Sequence, residues 1–253
     1  MKSDSNLKLS KKLQSFSSFS EILNFTAERN PSQPFIVTNK GKWTYEQFNL
    51  KVNQCSHFLY NLGVKPDEIL SAVLRNSLDY LILYFACIRC RILFNPFPYH
   101  VHAKEILKKV ESFDVKILVC HNDHFAELAS SETRLINLDD IDSKPLMEVL
   151  SQYSGEPFDS PELTDNQTAI LYYSSGTTGN PKLIEYTHRN MVTSQASMVR
   201  AGYVNPFEKH LCVLPLGHTA ALRHTIKPCI CTASTVYLYE SFWKIRNEIW
   251  NII

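Results

Sequence analysis

The residues with the clearest capacity for chemistry lie between Tyr173 and Lys182. This stretch reads Tyr-Ser-Ser-Gly-Thr-Thr-Gly-Asn-Pro-Lys, so hydroxyls, glycines and a cation are concentrated in one short segment. Glycine lets the backbone adopt a positive φ and approach a ligand closely, and successive N–H groups in such a turn form a concavity that binds anions. Hydroxyl donors and a lysine ammonium favour phosphate oxygens. The composition therefore predicts a loop that binds a polyphosphate.

The spacing within this loop excludes two common nucleotide-binding motifs. A Walker A loop reads G-x-x-x-x-G-K-[ST] and opens a helix, whereas here the pattern is Gly176-x-x-Gly179-x-x-Lys182, with Pro181 before the lysine and a strand-like segment after it. The dinucleotide fingerprint G-x-G-x-x-G does not occur in the loop either. The alternative is an ordinary Gly/Ser/Thr turn between two strands. An isolated Gly-Thr-Thr-Gly would favour that interpretation, but the longer string is far more specific.

The string from Tyr173 to Asn190 resembles the signature of the adenylate-forming superfamily, which includes acyl-CoA synthetases, nonribosomal peptide adenylation domains and firefly-type luciferases. That signature reads approximately Y-T-S-G-T-T-G-x-P-K-G-V, followed by a strand and T-H-x-N. In this sequence Leu183 stands where the family has the glycine after the lysine, and Thr187 opens the T-H-x-N element. Further segments resemble other elements of the family, namely residues 43–48, 62–67, 76–80 and 214–218.

The resemblance implies a reaction in two steps. A carboxylic acid attacks the α-phosphate of Mg²⁺·ATP to give an acyl-adenylate and pyrophosphate, and the acyl group then passes to a thiol of CoA or of a carrier protein. By motif match, Lys182 would support the loop that cradles the β- and γ-phosphates. The residues that would form this cradle are Ser174, Ser175, Gly176, Thr177, Thr178 and Gly179.

His218 is the residue that the resemblance assigns a catalytic role, at the border of the acyl or nucleotide pocket. It ends the segment 214–218, which resembles the family's L-P-L-F-H element and lies near the acyl substrate in that family. Gly217 replaces the aromatic residue of that element, so the contact with substrate is expected to differ. A packed or surface histidine without a catalytic role is an equal alternative from the sequence alone.

The resemblance covers residues 19–253, which correspond to the first half of the family's large N-terminal domain, and residues 1–18 form a polar segment that is expected to be loose. The family's Y-G-x-T-E and T-G-D motifs and its C-terminal domain do not occur in these 253 residues. The expectation is therefore a fragment or split portion of a ligase, acting with a complementary C-terminal fragment and unable to complete adenylation alone. The alternatives are a non-catalytic remnant that serves as a nucleotide-binding or interaction module, and an unrelated nucleotide-binding enzyme.

The elements that must position the loop follow from hydrophobic periodicity. Alternating apolar strands and helices predict an α/β fold with a parallel sheet and right-handed crossovers. Ser20 is expected to cap an early helix, Thr187 to cap a helix from His188 to Arg200, and Pro96 to end a strand. The predicted strands are 35–38, 69–74, 92–95, 115–120, 135–138, 169–174 and 183–186, and the predicted helices are 46–62, 77–90 and 103–113. Arg91 and Ser234 stand where the family usually has glycine.

The composition and net charge argue against nucleic acid and acidic membranes as partners. A net charge of +1 gives no excess of cations for nucleic acid or an acidic membrane. The start of the chain lacks the apolar core of a secretory signal, and the longest apolar run is too short to span a bilayer. Seven cysteines, an odd number, are most simply reduced thiols. These features favour a cytoplasmic protein.

Two cysteine pairs are candidate metal ligands. Cys87 and Cys90 form a C-x-x-C that could combine with His100 and His102, and Cys229 and Cys231 lie close together on a segment that reads as a strand. Cys87, however, lies in a strongly apolar helix, where thiols usually act as small hydrophobes, and the H-x-H spacing does not fit a zinc finger. No metal site is therefore predicted at either pair.

Overall fold

The computed structural model describes residues 2–163, 166–173, 182–247 and 249. The helices are α1 (Lys2–Leu13), α2 (Phe19–Arg29), α3 (Tyr45–Asn61), α4 (Leu78–Cys90), α5 (Ala103–Ser112), α6 (Asn122–Leu128), α7 (Leu146–Leu150), α8 (His188–Arg200), α9 (Thr219–Ala221), α10 (Lys227–Cys231) and α11 (Phe242–Ile245), with a π-helical turn at Leu222–Ile226. The strands are β1 (Pro34–Thr38), β2 (Gly41–Thr44), β3 (Ile69–Val73), β4 (Leu93–Phe97), β5 (Val115–Cys120), β6 (Arg134–Asn137), β7 (Thr168–Tyr173), β8 (Leu183–Thr187), β9 (Lys209–Cys212) and β10 (Thr235–Leu238).

The larger sheet has the strand order β6-β5-β3-β4-β7-β8. All neighbours in it are parallel except β7 and β8, which form an antiparallel pair. The crossover helices lie on both faces, because α4 belongs to one hydrophobic cluster while Ile106 and Val110 of α5 and Leu128 of α6 belong to the other. This is the α/β architecture with a parallel sheet that the sequence predicts.

A second sheet has the order β2-β1-β10-β9, in which β10 lies parallel to both of its neighbours. The segment holding Cys229 and Cys231 was expected to be a strand, but it forms α10. The physical reason is that Pro228 stands in the first turn of that helix, where its fixed φ and missing N–H are tolerated. Ala233 then adopts a left-handed conformation, with φ of 53°, before β10 begins. The left-handed residue before β10 is therefore Ala233.

α4 is buried all round, as its apolar composition predicts. Ser77 caps its N-terminus by accepting a hydrogen bond from the backbone N–H of Tyr80. Arg91 follows its last turn with φ of 59°, a conformation that costs a glycine little and a side chain more. The family's glycine at this position therefore has a conformational explanation. In this chain the Arg91 guanidinium pairs with Asp67 at 2.7 Å.

The N-terminal segment differs from expectation, because most of residues 1–18 are not loose. Residues 2–13 form α1, which packs against α8. Leu13 is only 1% exposed and joins the main core, so burial of apolar surface stabilises a segment that is polar overall. The predicted cap of the next helix is also wrong, since Ser18 accepts the hydrogen bond from Glu21 N–H. Ser20 instead accepts one from the Arg89 guanidinium.

β4 runs through Pro96 to Phe97, although the proline was expected to end the strand. Pairing between β4 and β7 has its register at Phe94 and Ile170, so the missing N–H of Pro96 lies beyond the paired part of that ladder. The side chain of Asn95 replaces backbone pairing there. It accepts a hydrogen bond from Ser71 Oγ at 2.8 Å and donates one to the carbonyl of Leu171 at 2.7 Å. β3, β4 and β7 are thus tied together near their carboxyl ends.

Candidate functional site

Most of the predicted phosphate loop lies outside the described residues, namely Ser174, Ser175, Gly176, Thr177, Thr178 and Gly179. The residues that flank it are described. Tyr173 ends β7 and pairs with Leu183 of β8 in antiparallel register. Lys182 is exposed and immediately precedes β8. The two ends of the loop are therefore fixed at the carboxyl end of β7, the sheet edge at which α/β proteins bind ligands.

Tyr173 is held firmly at this edge. Its ring stacks on Phe97 at 4.9 Å between centroids and contacts Phe113 at 5.6 Å. The Lys109 ammonium lies 4.8 Å from the centroid of the same ring. Packing and a cation–π contact therefore orient the residue that leads into the phosphate loop.

Asn76 anchors the segment that carries His218. Its side-chain amide donates to the carbonyls of Leu214 at 2.8 Å and Tyr239 at 3.2 Å, and its carbonyl oxygen accepts from Leu216 N–H at 2.7 Å. The Tyr80 hydroxyl adds a bond to the Leu216 carbonyl at 2.9 Å. One side chain following β3 thus satisfies three backbone groups and places this segment beside the carboxyl edge of the larger sheet.

Gly217 explains how closely the two parts of the site approach. A Cβ at this position would lie 2.6 Å from the carbonyl oxygen of Phe97 and 3.2 Å from Cα of Pro98. No side chain fits on this backbone, so the aromatic residue of the family could not stand here without a shift. Phe97 therefore contacts Gly217 through its carbonyl and Tyr173 through its ring. The residue before His218 and the residue before the predicted phosphate loop therefore both contact the end of β4.

His218 is exposed and stands at the N-cap of α9. Its backbone N–H bonds to the carbonyl of Pro215 at 3.1 Å. The helical segment that starts after it continues through the π-helical turn into α10. The side chain of His218 is therefore accessible to solvent at the start of this helical segment.

α8 starts where the sequence predicts. Thr187 and Asn190 form a capping box, with hydrogen bonds of 3.1 Å and 3.2 Å between side chains and backbone N–H groups. His188 is fully buried just inside the helix, and neither ring nitrogen has a hydrogen-bond partner among the described residues. Burial lowers the pKa of His188 to about 4, so the ring is neutral near pH 7. It is a packed histidine and not an exposed base.

A polar cluster at the same sheet edge was missed in the sequence. Arg75 lies 3.4 Å from Asp123 and 3.5 Å from Asp139, and His121 Nδ1 lies 3.1 Å from Asp139. The Tyr99 hydroxyl donates to Asp123. Burial lowers the pKa of His121, and the nearby Asp139 carboxylate opposes that shift. The available signal was that these residues directly follow β3, β4, β5 and β6.

The cysteine pairs occupy packed positions. Cys87 and Cys90 are buried on α4, which precedes β4, whereas His100 follows β4 and is exposed. The cysteines and His100 of this candidate zinc site therefore lie at opposite ends of β4. Across the described ranges, no cluster of three metal-ligating side chains is present. Within the same ranges, no helix has the length and apolar character needed to cross a bilayer.

Comparison with known proteins identifies the family. Residues 23–253 match the model of the AMP-binding enzyme family. The match covers most of the chain, so this protein belongs to the AMP-binding enzyme family.

The similar curated proteins include CoA ligases and a tyrocidine synthase. 4-Coumarate–CoA ligase 3 of Arabidopsis thaliana is 27% identical, over 82% of this chain and 39% of the relative. The medium/long-chain-fatty-acid–CoA ligase FadD6 of Mycobacterium tuberculosis is 23% identical, over 90% of this chain and 39% of the relative. Tyrocidine synthase 2 of Brevibacillus parabrevis is 25% identical over 80% of this chain. The chain thus spans about 39% of the length of these two CoA ligases.

Solved structures share the fold. A Mycobacterium tuberculosis fatty acyl CoA synthetase superposes with a TM-score of 0.83 at 20% identity, over 94% of this chain and 47% of that chain. Apo MatB from Rhodopseudomonas palustris superposes with a TM-score of 0.81 at 20% identity, over 91% of this chain and 47% of that chain. The architecture is therefore that of the N-terminal portion of adenylate-forming enzymes.

Proposed function

We propose that this chain binds the phosphates of Mg²⁺·ATP for an acid–thiol ligase of the adenylate-forming type. Residues 174–179 would contact the β- and γ-phosphates, and Lys182 would supply positive charge. A carboxylic acid would be activated as its acyl-adenylate and passed to CoA or a carrier protein. Support comes from the family match at residues 23–253 and from relatives that include 4-coumarate–CoA ligases. We also propose that residues 19–253 form the AMP-binding unit, with α1 packed against it.

The observation that carries this proposal is the position of Phe97. Its contacts with Tyr173 and Gly217 support the proposal, because these residues immediately precede Ser174 and His218 in the sequence. Attack on the α-phosphate moves negative charge onto the pyrophosphate leaving group, so fixed donors and a cation beside it lower the barrier. Lys182 is exposed at this edge and suited to that task. His218 is suited to orienting the acid or a phosphate oxygen through its exposed imidazole.

Lys182→Ala tests the proposed phosphate contact. We expect Mg²⁺·ATP binding to the purified chain, measured by calorimetry, to weaken about tenfold or more, because a charge-assisted contact is lost. The matched control is Lys65→Ala, which removes an exposed lysine that precedes β3 and therefore lies at the opposite edge of the sheet. Equal affinities in wild type, Lys182→Ala and Lys65→Ala would contradict the assignment.

ATP–pyrophosphate exchange tests the chemical step. The acids to be tried are 4-coumarate and medium- and long-chain fatty acids, since relatives are named for these substrates. We expect these 253 residues to bind Mg²⁺·ATP without robust exchange, because the family's ribose-binding and C-terminal motifs are not among them. Robust exchange that Lys182→Ala abolishes would overturn that expectation and show that the 253 residues suffice.

A further inference from the structure

An open depression of about 320 Å³ lies beside α8. We call it the α8 cavity. It is bordered by the end of β8, by one face of α8 and by the π-helical turn. Its lining residues are Tyr186, Asn190, Thr193, Ser194, Ser197 and Arg223.

The hydroxyls of this cavity can be turned toward a ligand. Thr193 and Ser197 now donate to backbone carbonyls of α8 at 2.7 Å and 2.8 Å, and Ser194 donates to another at 3.1 Å. Carbonyls inside a helix already accept a backbone hydrogen bond, so releasing these extra bonds leaves no carbonyl without a partner. The Tyr186 hydroxyl lies 3.0 Å from Ser194 Oγ. The wall can therefore present several O–H donors to an anion.

Arg223 lines this cavity and Lys227 lies against the Tyr186 ring in its wall, and neither has a counter-ion among the described residues. Arg223 and Lys227 form no ion pair with any acidic side chain in the described parts of the chain. Neither α8 nor the helical segment 219–231 contains an aspartate or a glutamate. The neighbouring Glu185 accepts a hydrogen bond from Thr168 and is not paired with either cation. The positive charge of Arg223 in the cavity lining is therefore not paired with a carboxylate of the described residues.

Lys227 is unusual for a lysine because it is only 1% exposed. Its ammonium lies 4.9 Å from the centroid of the Tyr186 ring, which forms part of the cavity wall. Burial, with repulsion from Arg223 as a smaller cause, lowers the pKa of Lys227 to about 7. A buried cation without a carboxylate is costly, and a ligand that supplied the missing negative charge would remove much of that cost.

The backbone beneath Arg223 is held in place from α8. Gln195 Nε2 donates to the Arg223 carbonyl at 3.1 Å, while Gln195 Oε1 is buried without a partner. The Arg223 carbonyl belongs to the π-helical turn, and such turns occur frequently at functional sites. The turn therefore fixes the position from which the Arg223 guanidinium reaches the cavity.

We propose that the α8 cavity binds an anionic group, a carboxylate or a phosphate, with Arg223 as the direct contact and Lys227 as a second positive charge behind the Tyr186 ring. A planar guanidinium offers two parallel N–H groups to such an oxyanion. The anion site stands independently of ATP binding. Only the assignment of the anion as the distal carboxylate of a dicarboxylic acid substrate rests on the proposed ligase function.

Binding of defined anions to the purified chain tests this site. The probes are inorganic phosphate, acetate, succinate, glutarate and adipate, titrated at constant ionic strength and followed by calorimetry and by NMR shifts of α8 amides. We expect saturable binding that Arg223→Gln weakens by about tenfold or more. Lys227→Met should weaken it by a smaller factor. Arg200→Gln, at the exposed end of α8 and outside the cavity, is the matched control.

The outcomes test the anion site separately from ATP binding, and they distinguish a carboxylate of the substrate from a free anion. Mg²⁺·ATP affinity should be the same in Arg223→Gln and wild type, so a failure of one proposal does not imply failure of the other. Preference for one dicarboxylate length over acetate would assign the distal carboxylate of an acid, and tight phosphate binding without that preference would assign a free anion. No saturable binding of any probe, or binding that Arg223→Gln leaves unchanged, would overturn the site.

Discussion

At the scale of single residues, Gly217 decides how closely the candidate site is packed. The predicted phosphate loop stands out in the sequence because its donors, glycines and Lys182 lie in one string. The resemblance also indicated that Gly217 replaces an aromatic residue. The reason became visible only in the fold, where the Phe97 carbonyl occupies the space of a Cβ. Glycine at position 217 therefore removes the aromatic side chain and at the same time allows the close contact with the Phe97 carbonyl.

Gly217→Ala should strain this contact. Its Cβ would lie 2.6 Å from a backbone oxygen that cannot move independently of β4. We expect a loss of about 1–3 kcal/mol in the free energy of unfolding, the usual cost of overpacking, and weaker Mg²⁺·ATP binding because the site edge shifts. Urea denaturation and calorimetry measure the two effects.

Gly155→Ala is the matched control for this substitution. There the nearest atom is Leu50 Cγ at 3.0 Å, which belongs to a side chain that is itself exposed and can move aside. Its cost should stay within about 0.5 kcal/mol, as for other surface changes. If both alanine variants were equally stable, the close approach at Phe97 would not matter.

The partners of the site could not be read from the sequence. Asn76 lies far from Leu214 and Tyr239 along the chain, yet its side chain holds both segments. The cluster of Arg75, Asp123 and Asp139 likewise forms only because parallel strands end at the same edge. The spacing of residues along the chain does not indicate such pairs. They depend on the order of the strands in the sheet.

At the scale of elements, a buried arginine joins three helices. Arg89 of α4 donates to Ser20 at 2.9 Å and Asn24 at 2.8 Å on α2, and to Asn49 at 2.8 Å and Asn53 at 2.5 Å on α3. All four acceptors are neutral, so the charge is stabilised by hydrogen bonds alone. Burial lowers the pKa of Arg89 to about 10, which still leaves it charged at pH 7.

Arg89→Ala should destabilise the packing of these helices. It removes the donor from several amide oxygens at once and leaves a cavity, so we expect a loss of about 3–5 kcal/mol in the free energy of unfolding. Arg89→Lys should recover only part of this, because a single ammonium cannot reach four acceptors spread over two helices. Arg29→Ala, at an exposed position on α2, is the control and should change little. Equal stability of Arg89→Ala and Arg29→Ala would contradict the role of the cluster.

The fold could be predicted where one segment carries its own signal. The amphipathic pattern of α3, the apolar run of α4 and the strand β5 were confirmed within a residue or two. β10 was missed because its contacts are distant, since it pairs with β1 and Thr235 bonds to the Pro34 carbonyl at 2.8 Å. α1 was missed for the same reason, as its polar sequence is stabilised by packing on α8.

At the scale of the whole molecule, buried titrating groups give opposite dependences of stability on pH. The pKa of His188 is lowered to about 4, so its contribution rises as pH increases from about 4 to 6.5. Burial raises the pKa of Asp79 to about 6, so its contribution falls as pH increases from 3.8 to about 6. These two effects oppose each other below neutrality. Above neutrality Lys227 adds stability as pH increases, because its pKa is lowered from 10.5 to about 7, whereas the buried thiols, whose pKa burial raises, act in the opposite direction.

Lys227→Met isolates this alkaline effect. Below pH 7 the folded protein must hold a buried ammonium that the unfolded chain exposes to water, so methionine of similar length should raise the free energy of unfolding by a few kcal/mol. As pH increases from 7 toward 10.5, the unfolded chain binds more protons than the folded one and the wild type gains stability. The advantage of the variant should therefore shrink steadily. Urea denaturation of both proteins at pH 6, 7, 8 and 9 measures the difference, in which the buried thiols common to both cancel. Lys65→Met, at an exposed position, should show no such trend. If the stability advantage of Lys227→Met stayed constant from pH 6 to pH 9, burial would not lower the pKa of Lys227.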